Sequence, residues 1–103
     1  MWYAANLLFK STHSQSGDDE LWEESIRLVD AESEDMALKK AQIIGANEKV
    51  AYLAQEGDKV TWEFVRVDRV FEISDEQLRN GAELFSRFLR KSEVESMLKP
   101  FDD

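Results

Sequence analysis

The chain has 103 residues, a formal net charge of −9 and a pI near 4.6, with 43% hydrophobic and 11% aromatic residues. That length holds one domain with a single modest core, the apolar share argues against disorder, and the negative field argues against nucleic acid while steering in a cationic partner. There is no cysteine, which removes disulfides, thiolate metal sites and cysteine nucleophiles; no apolar run approaches the roughly 20 residues that cross a bilayer and no signal-peptide pattern opens the chain, so no membrane contact and a cytoplasmic setting are expected.

Trp2 to Lys10 carries Tyr3, Ala5, Leu7 and Phe9 on one side and Trp2, Ala4, Asn6 and Leu8 on the other, the double-sided apolar pattern of an interior strand. Ser11 to Glu20 is polar and aperiodic, and is expected to be a solvated loop. Leu21 to Val29 alternates again, with Trp22, Ile26 and Leu28 on one parity, Glu23, Ser25 and Arg27 on the other, and Glu24 interrupting the apolar set. It predicts a second strand antiparallel to the first. Asp30 to Gly45 has the punctuation of a helix: Ser33 as N-cap, Glu34 and Asp35 in the first turn, and Gly45 as a left-handed stop. Ala37, Ala41 and Ile44 centre its stripe, flanked by Met36, Leu38 and Ile43, and the two alanines imply close approach to a sheet.

Lys49 to Gln55 predicts a short third strand, and Glu56-Gly57-Asp58 a hairpin turn. Asp58 to Ile73 is the longest β-favouring run, and its apolar parity changes midway. Val60, Trp62 and Phe64 share one face, whereas Val65, Val67, Phe71 and Ile73 share the other. Either a bulge near Phe64 and Val65 shifts the register, or the two halves serve apolar layers on opposite sides of a sheet. Ser74 to Gln77 has the form of a capping box opening a helix with Leu78, Ala82, Phe85 and Leu89 as its stripe; Ser92 to Glu95 has the same form before a short helix with Val94, Met97 and Leu98 that stops at Pro100. The whole predicts a single α+β domain over 1–103, a four-stranded antiparallel sheet in the chain order β-β-α-β-β-α-α with helices packed on it, a core over 2–73 and a helical appendage over 74–103.

Trp2-Tyr3-Ala4-Ala5, the acidic run before Trp22, Val29-Asp30-Ala31-Glu32-Ser33-Glu34-Asp35 entering an alanine-spaced helix, and Gly57-Asp58-Lys59-Val60-Thr61-Trp62-Glu63-Phe64 together resemble a family of small bacterial proteins, domain of unknown function 4288. The resemblance covers roughly 2–73. It implies a bacterial source and an α+β fold of this order, and it brings no catalytic residue, cofactor or substrate with it.

Residue-level chemistry is sparse. His13 is the only histidine and sits in a polar stretch with nothing to orient it, as an ordinary loop histidine does. No G-x-S-x-G, Gly-x-Gly or Walker pattern occurs. Asp18, Asp19, Glu20, Glu23 and Glu24 cluster without the ligand register of a calcium loop, so they are expected to be solvated rather than metal-binding, and no cofactor is implied. Arg66, Asp68 and Glu72 share a parity of the long strand, where Asn6 and Glu24 can join them across the sheet. They form either cross-strand pairs on a wet face or a polar binding floor.

Two functional classes follow. One is a non-catalytic protein-interaction or regulatory module, contacting a protein partner or a second copy through Trp22, Glu24, Arg66 and Asp68, as the charge and the three tryptophans suggest. The other is a small-ligand binder or carboxylate-dependent enzyme, which requires Glu24 and Asp68 to share a concave pocket about 5 to 9 Å apart.

Overall fold

A strand apolar on both sides needs a neighbour at each edge and cover on each face, and β1 (Trp2–His13) has neighbours at both edges. In the computed structural model, which describes residues 1–14, 21–48, 50–53, 59–74 and 78–99 and only the backbone of 50–53, the sheet order is β2-β1-β4-β3. Strands β2 (Trp22–Asp30), β3 (Val50–Leu53) and β4 (Lys59–Glu72) each run antiparallel to their neighbours. Strand β1 is longer than expected, and His13, expected in a loop, lies within it opposite Val60.

Helix α1 (Glu34–Ala46) begins where Ser33 Oγ accepts the Met36 N–H at 3.2 Å, with Glu34 and Asp35 in the first turn where the helix dipole favours negative charge. Its buried side is Ala37, Ala41 and Gly45. These residues press on the odd-numbered side chains of β1, Tyr3, Ala5, Leu7 and Phe9, together with Val29 and Val67. Gly45 is not the left-handed stop expected of it. The helix continues through Ala46 to Asn47, whose φ is −87°. Gly45 is there because a Cβ at this position would collide with the Phe64 ring, so the glycine sets how closely the helix approaches β4.

The change of parity along β4 has a geometric cause. Arg69 lies opposite Asn6 but Val67 opposite Leu7, and Arg66 lies opposite Leu8 but Phe64 opposite Phe9, so Asp68 and Val65 are each an extra residue on β4. These are two β-bulges. The bulge at Val65 brings Val67 to the α1 side with Val60, Trp62 and Phe64; the bulge at Asp68 keeps Val70 there and turns Phe71 and Ile73 to the opposite face. Both explanations of the parity change therefore hold, each for part of the strand.

The expected β-β-α-β-β-α-α architecture with helices packed on a four-stranded sheet is corrected. The body of the sheet is the three long strands β2-β1-β4; β3 adds four residues, pairing only with Lys59 to Trp62. Among the described residues there are two helices rather than three, and only α1 packs on the sheet. Residues 78–90 are irregular, because Asn80–Gly81 makes a turn in the middle of the periodic stripe: Gly81 has φ 89° and the Arg79 carbonyl accepts the Ala82 N–H at 3.1 Å. A left-handed residue at the third turn position is the type II geometry and terminates helical winding. The segment instead crosses the sheet's second face, where Phe85 meets the Phe71 ring edge-on at 5.8 Å.

Helix α2 (Lys91–Leu98) starts with the Arg90 N–H donating to Glu93 Oε1 at 2.8 Å, so Glu93 closes its first turn, and none of its residues is buried. The radius of gyration, 16.5 Å, exceeds the roughly 13 Å of a compact domain of this length. The C-terminal arm stands away from the sheet. No described helix is long and apolar enough to cross a membrane. The hairpin at Glu56 to Asp58, most of the Ser74–Gln77 capping box and the stop at Pro100 lie outside the described residues.

Ala41 is fully buried, so Ala41→Leu is expected to destabilise by about 1 to 3 kcal/mol through overpacking. Gly45→Ala, which drives its methyl into Phe64, should fall in the same range. Urea unfolding with an unchanged m-value checks both.

Candidate functional site

The two faces of the sheet are finished differently. The α1 face is closed over β1 and β4. On the second face the register places Trp22, Glu24, Ile26 and Leu28 of β2 beside Ala4, Asn6, Leu8 and Lys10 of β1, followed by Arg66, Arg69 and Phe71 of β4. Ala4 and Asn6 are buried, whereas Trp22, Ile26 and Leu28 are 52%, 51% and 50% exposed. Alternation alone suggests the reverse, since these three are the apolar parity of β2. The helix sits too far across the sheet to cover β2 fully, and in any case it lies on the other side. A shallow apolar hollow of about 200 Å³ runs between Ile26 and Leu28 and the irregular segment, with Leu78 and Leu84 on its far wall.

Polar groups fix the ends of this surface. Asn6 Nδ2 donates to Glu24 Oε2 at 2.8 Å, while its buried Oδ1 has no partner among the described residues. Lys10 Nζ lies 5.9 Å from the centre of the Trp22 ring, within cation–π range. On the opposite side of β2, Arg27 donates from Nη1 and Nη2 to the Glu48 carboxylate at 2.5 and 2.6 Å and from Nε to Ser25 Oγ at 2.7 Å. Those bonds hold the Glu48 carboxyl below the usual glutamate range and raise the Arg27 guanidinium further. Burial, and then Glu72 and Glu34, push the Tyr3 phenol above its ordinary value.

Of the residues singled out from sequence, Trp22, Glu24 and Arg66 share the second face. Glu24 and Arg66 flank Leu8 from opposite sides, which puts their backbones about 10 Å apart, two strand spacings. Asp68 does not join them. It is the bulge residue on the open edge of β4, 3.9 Å from Arg69 Nε, and lines a separate cleft of about 420 Å³ with Glu34, Asp35, Arg66 and Phe85. Glu24 is not part of that cleft, so the paired carboxylates needed by the enzyme reading are not brought together. Glu23 and Glu24 point to opposite faces. Asp18, Asp19 and Glu20 lie outside the described residues, and among those described no group of three metal-ligating side chains occurs. Sequence reasoning did not single out the Arg27–Glu48 pair, because the partner arrives from the end of α1.

One family model, described as "Domain of unknown function (DUF4288)", matches residues 2–86. The chain belongs to this family. No curated protein and no solved structure matches it. The DUF4288 match takes in all four strands and α1, and it reaches past Ile73 to Ser86, so it includes the segment that carries Leu78, Leu84 and Phe85 across the second face. Helix α2 falls beyond it.

Glu48 titrates lower in the fold than in the unfolded chain, so the Arg27–Glu48 contribution is fully present above the unfolded glutamate value of about 4.3 and is lost as pH falls through the lower folded value. Arg27→Met is therefore expected to be less stable than wild type at neutral pH and to converge with it in acid. Denaturant unfolding across that range measures the convergence.

Proposed function

We propose that the protein is a non-catalytic protein-interaction module whose contact surface is the second face of the sheet along β2, centred on Trp22, Ile26 and Leu28. The observation that carries it is the half exposure of these three large side chains on one strand, next to the open hollow walled by Leu78 and Leu84. Contiguous exposed apolar surface is uncommon on a protein that works alone, and tryptophan is among the residues on which binding energy concentrates. Glu24, anchored by Asn6, and Arg66 supply polar contacts at the margin. Asp68, in the separate cleft at the β4 edge, lies outside this contact surface. The net charge of −9 favours approach by a basic surface and speeds encounter more than it strengthens the final complex.

A second reading is small-ligand binding in the β4 edge cleft, whose 420 Å³ falls in the size range of ligand pockets. Its wide mouth and lining of mixed charged and apolar side chains without a converging polar set make it the weaker of the two.

Affinity capture from a native lysate, at low and high salt, tests the first. A stoichiometric protein, foreign or a second copy, should be retained at high salt by the wild type. Trp22→Ala should weaken retention by about 2 kcal/mol, roughly thirtyfold. Absence of any stoichiometric partner, or equal retention by the variant, would count against the proposal.

A further inference from the structure

Along the outer edge of β2 the backbone groups of Glu24, Ile26 and Leu28 have no partner among the described residues, while at its end the Asp30 carbonyl accepts from Lys40 Nζ at 2.6 Å. Ser11 N–H donates to the Leu21 carbonyl and Ala31 N–H to the Met1 carbonyl, so the odd-numbered residues of β2 turn their backbone groups inward to β1. By strand alternation the even-numbered ones between them, Glu24, Ile26 and Leu28, turn theirs outward. The two edges of the sheet differ in how they are guarded. Beyond β3, the edge of β4 is interrupted by the bulges at Val65 and Asp68, a usual protection against edge pairing. Strand β2 pairs with β1 over nine residues without a register shift and contains neither proline nor lysine. A long, regular edge without bulge, proline or lysine, beside exposed apolar side chains, is a template for another strand whose charges pair with its own.

We infer that the partner is a second copy of this chain, added by antiparallel β2–β2 pairing about a two-fold axis at Ser25. The inference rests on the interaction reading above and names its partner. Residues directly opposite one another must share a face, which leaves registers whose residue numbers sum to an even value. A sum of 48 opposes Glu24 to Glu24, and 54 opposes Arg27 to Arg27, both like-charge clashes. A sum of 52 opposes Ile26 to itself and leaves every charge without an opposite. A sum of 50 sets Glu23 against Arg27 twice and Trp22 against Leu28 twice. Arg27 can serve that pair, because its bonds to Glu48 and Ser25 use three of its five donors. The pairing continues the sheet across the axis and buries outward backbone groups together with the half-exposed stripe.

Two nine-residue strands bury less than the roughly 1,200 Å² of a stable specific dimer, so the dissociation constant falls in the micromolar range. Each copy carries −9, so added salt screens repulsion and strengthens the dimer, the opposite of its effect on capture of a basic partner.

The absence of native cysteine allows a clean register test. Opposed residues across an antiparallel pair have the Cα separation that a disulfide requires. Under mild oxidation Ser25→Cys is expected to cross-link to a dimer nearly completely and Ile26→Cys only slowly. Sedimentation equilibrium of the wild type should show a monomer–dimer equilibrium that tightens with salt. Ile26→Pro, which removes an outward donor at an edge position that tolerates proline, should be monomeric with an unchanged circular dichroism spectrum. A wild type that stays monomeric into the millimolar range, or efficient cross-linking of Ile26→Cys in place of Ser25→Cys, overturns the inference. If the chain is monomeric yet still captures a foreign protein through Trp22, the inference falls and the interaction reading stands; if neither self-association nor capture depends on β2, both fall.

Discussion

The contact between the small-residue stripe of α1 and the odd-numbered side chains of β1 determines the rest of the molecule. Ala37, Ala41 and Gly45 let the helix backbone settle directly over Tyr3, Ala5, Leu7 and Phe9, and the ring of Phe64 fills the space that a side chain at position 45 would take. The approach is close because the helix presents nothing larger than a methyl group along this stripe. Packing of this density leaves no freedom to slide the helix toward β2. One helix therefore closes one face over two strands, and the second face depends on an irregular segment that covers only part of it.

That asymmetry separates a stable core from a surface with unfinished contacts. The Phe71–Phe85 pair fastens the crossing segment to β4, and Ala4 and Ile73 are buried there. Toward β2 the cover thins, and Trp22, Ile26 and Leu28 remain half in water. Helix α2 adds none, since none of its residues is buried. The bulges at Val65 and Asp68 blunt one edge of the sheet, while the other edge is straight and carries the exposed stripe. Apolar area, outward backbone groups and a self-complementary charge pattern coincide on β2, which is why the functional proposal is placed there.

Much of this was legible in the residues. The double-sided alternation of Trp2 to Lys10 identifies an interior strand, Ser33 with Glu34 and Asp35 marks the start of α1, and the parity change between Phe64 and Val65 leaves a bulge or two apolar layers as its causes, without signalling the second bulge at Asp68. What was not legible depends on relations between distant segments. Alternation in β2 shows that Trp22, Ile26 and Leu28 share a side; it does not show whether that side is covered, because the answer lies in where α1 comes to rest. The Leu78, Ala82, Phe85 and Leu89 spacing has a helical period, yet Asn80–Gly81 in its midst favours a turn, and docking of Phe85 on Phe71 takes the place of helical winding. Asp68 shares a parity with Arg66 in the sequence, but as an inserted bulge residue it leaves the face that parity assigns. The salt link from Arg27 to Glu48 spans the helix and has no local signature.

The backbone groups of Glu24, Ile26 and Leu28 face an edge that the other described residues leave open and that association closes. Residue-resolved amide hydrogen exchange, run from dilute to concentrated protein, reads this edge amide by amide. Protection is expected to alternate: Glu23, Ser25, Arg27 and Val29 protected throughout, and Glu24, Ile26 and Leu28 exchanging freely in dilute solution and slowing as concentration rises. Even-numbered amides already protected in the isolated monomer, or unprotected at every concentration, would contradict it.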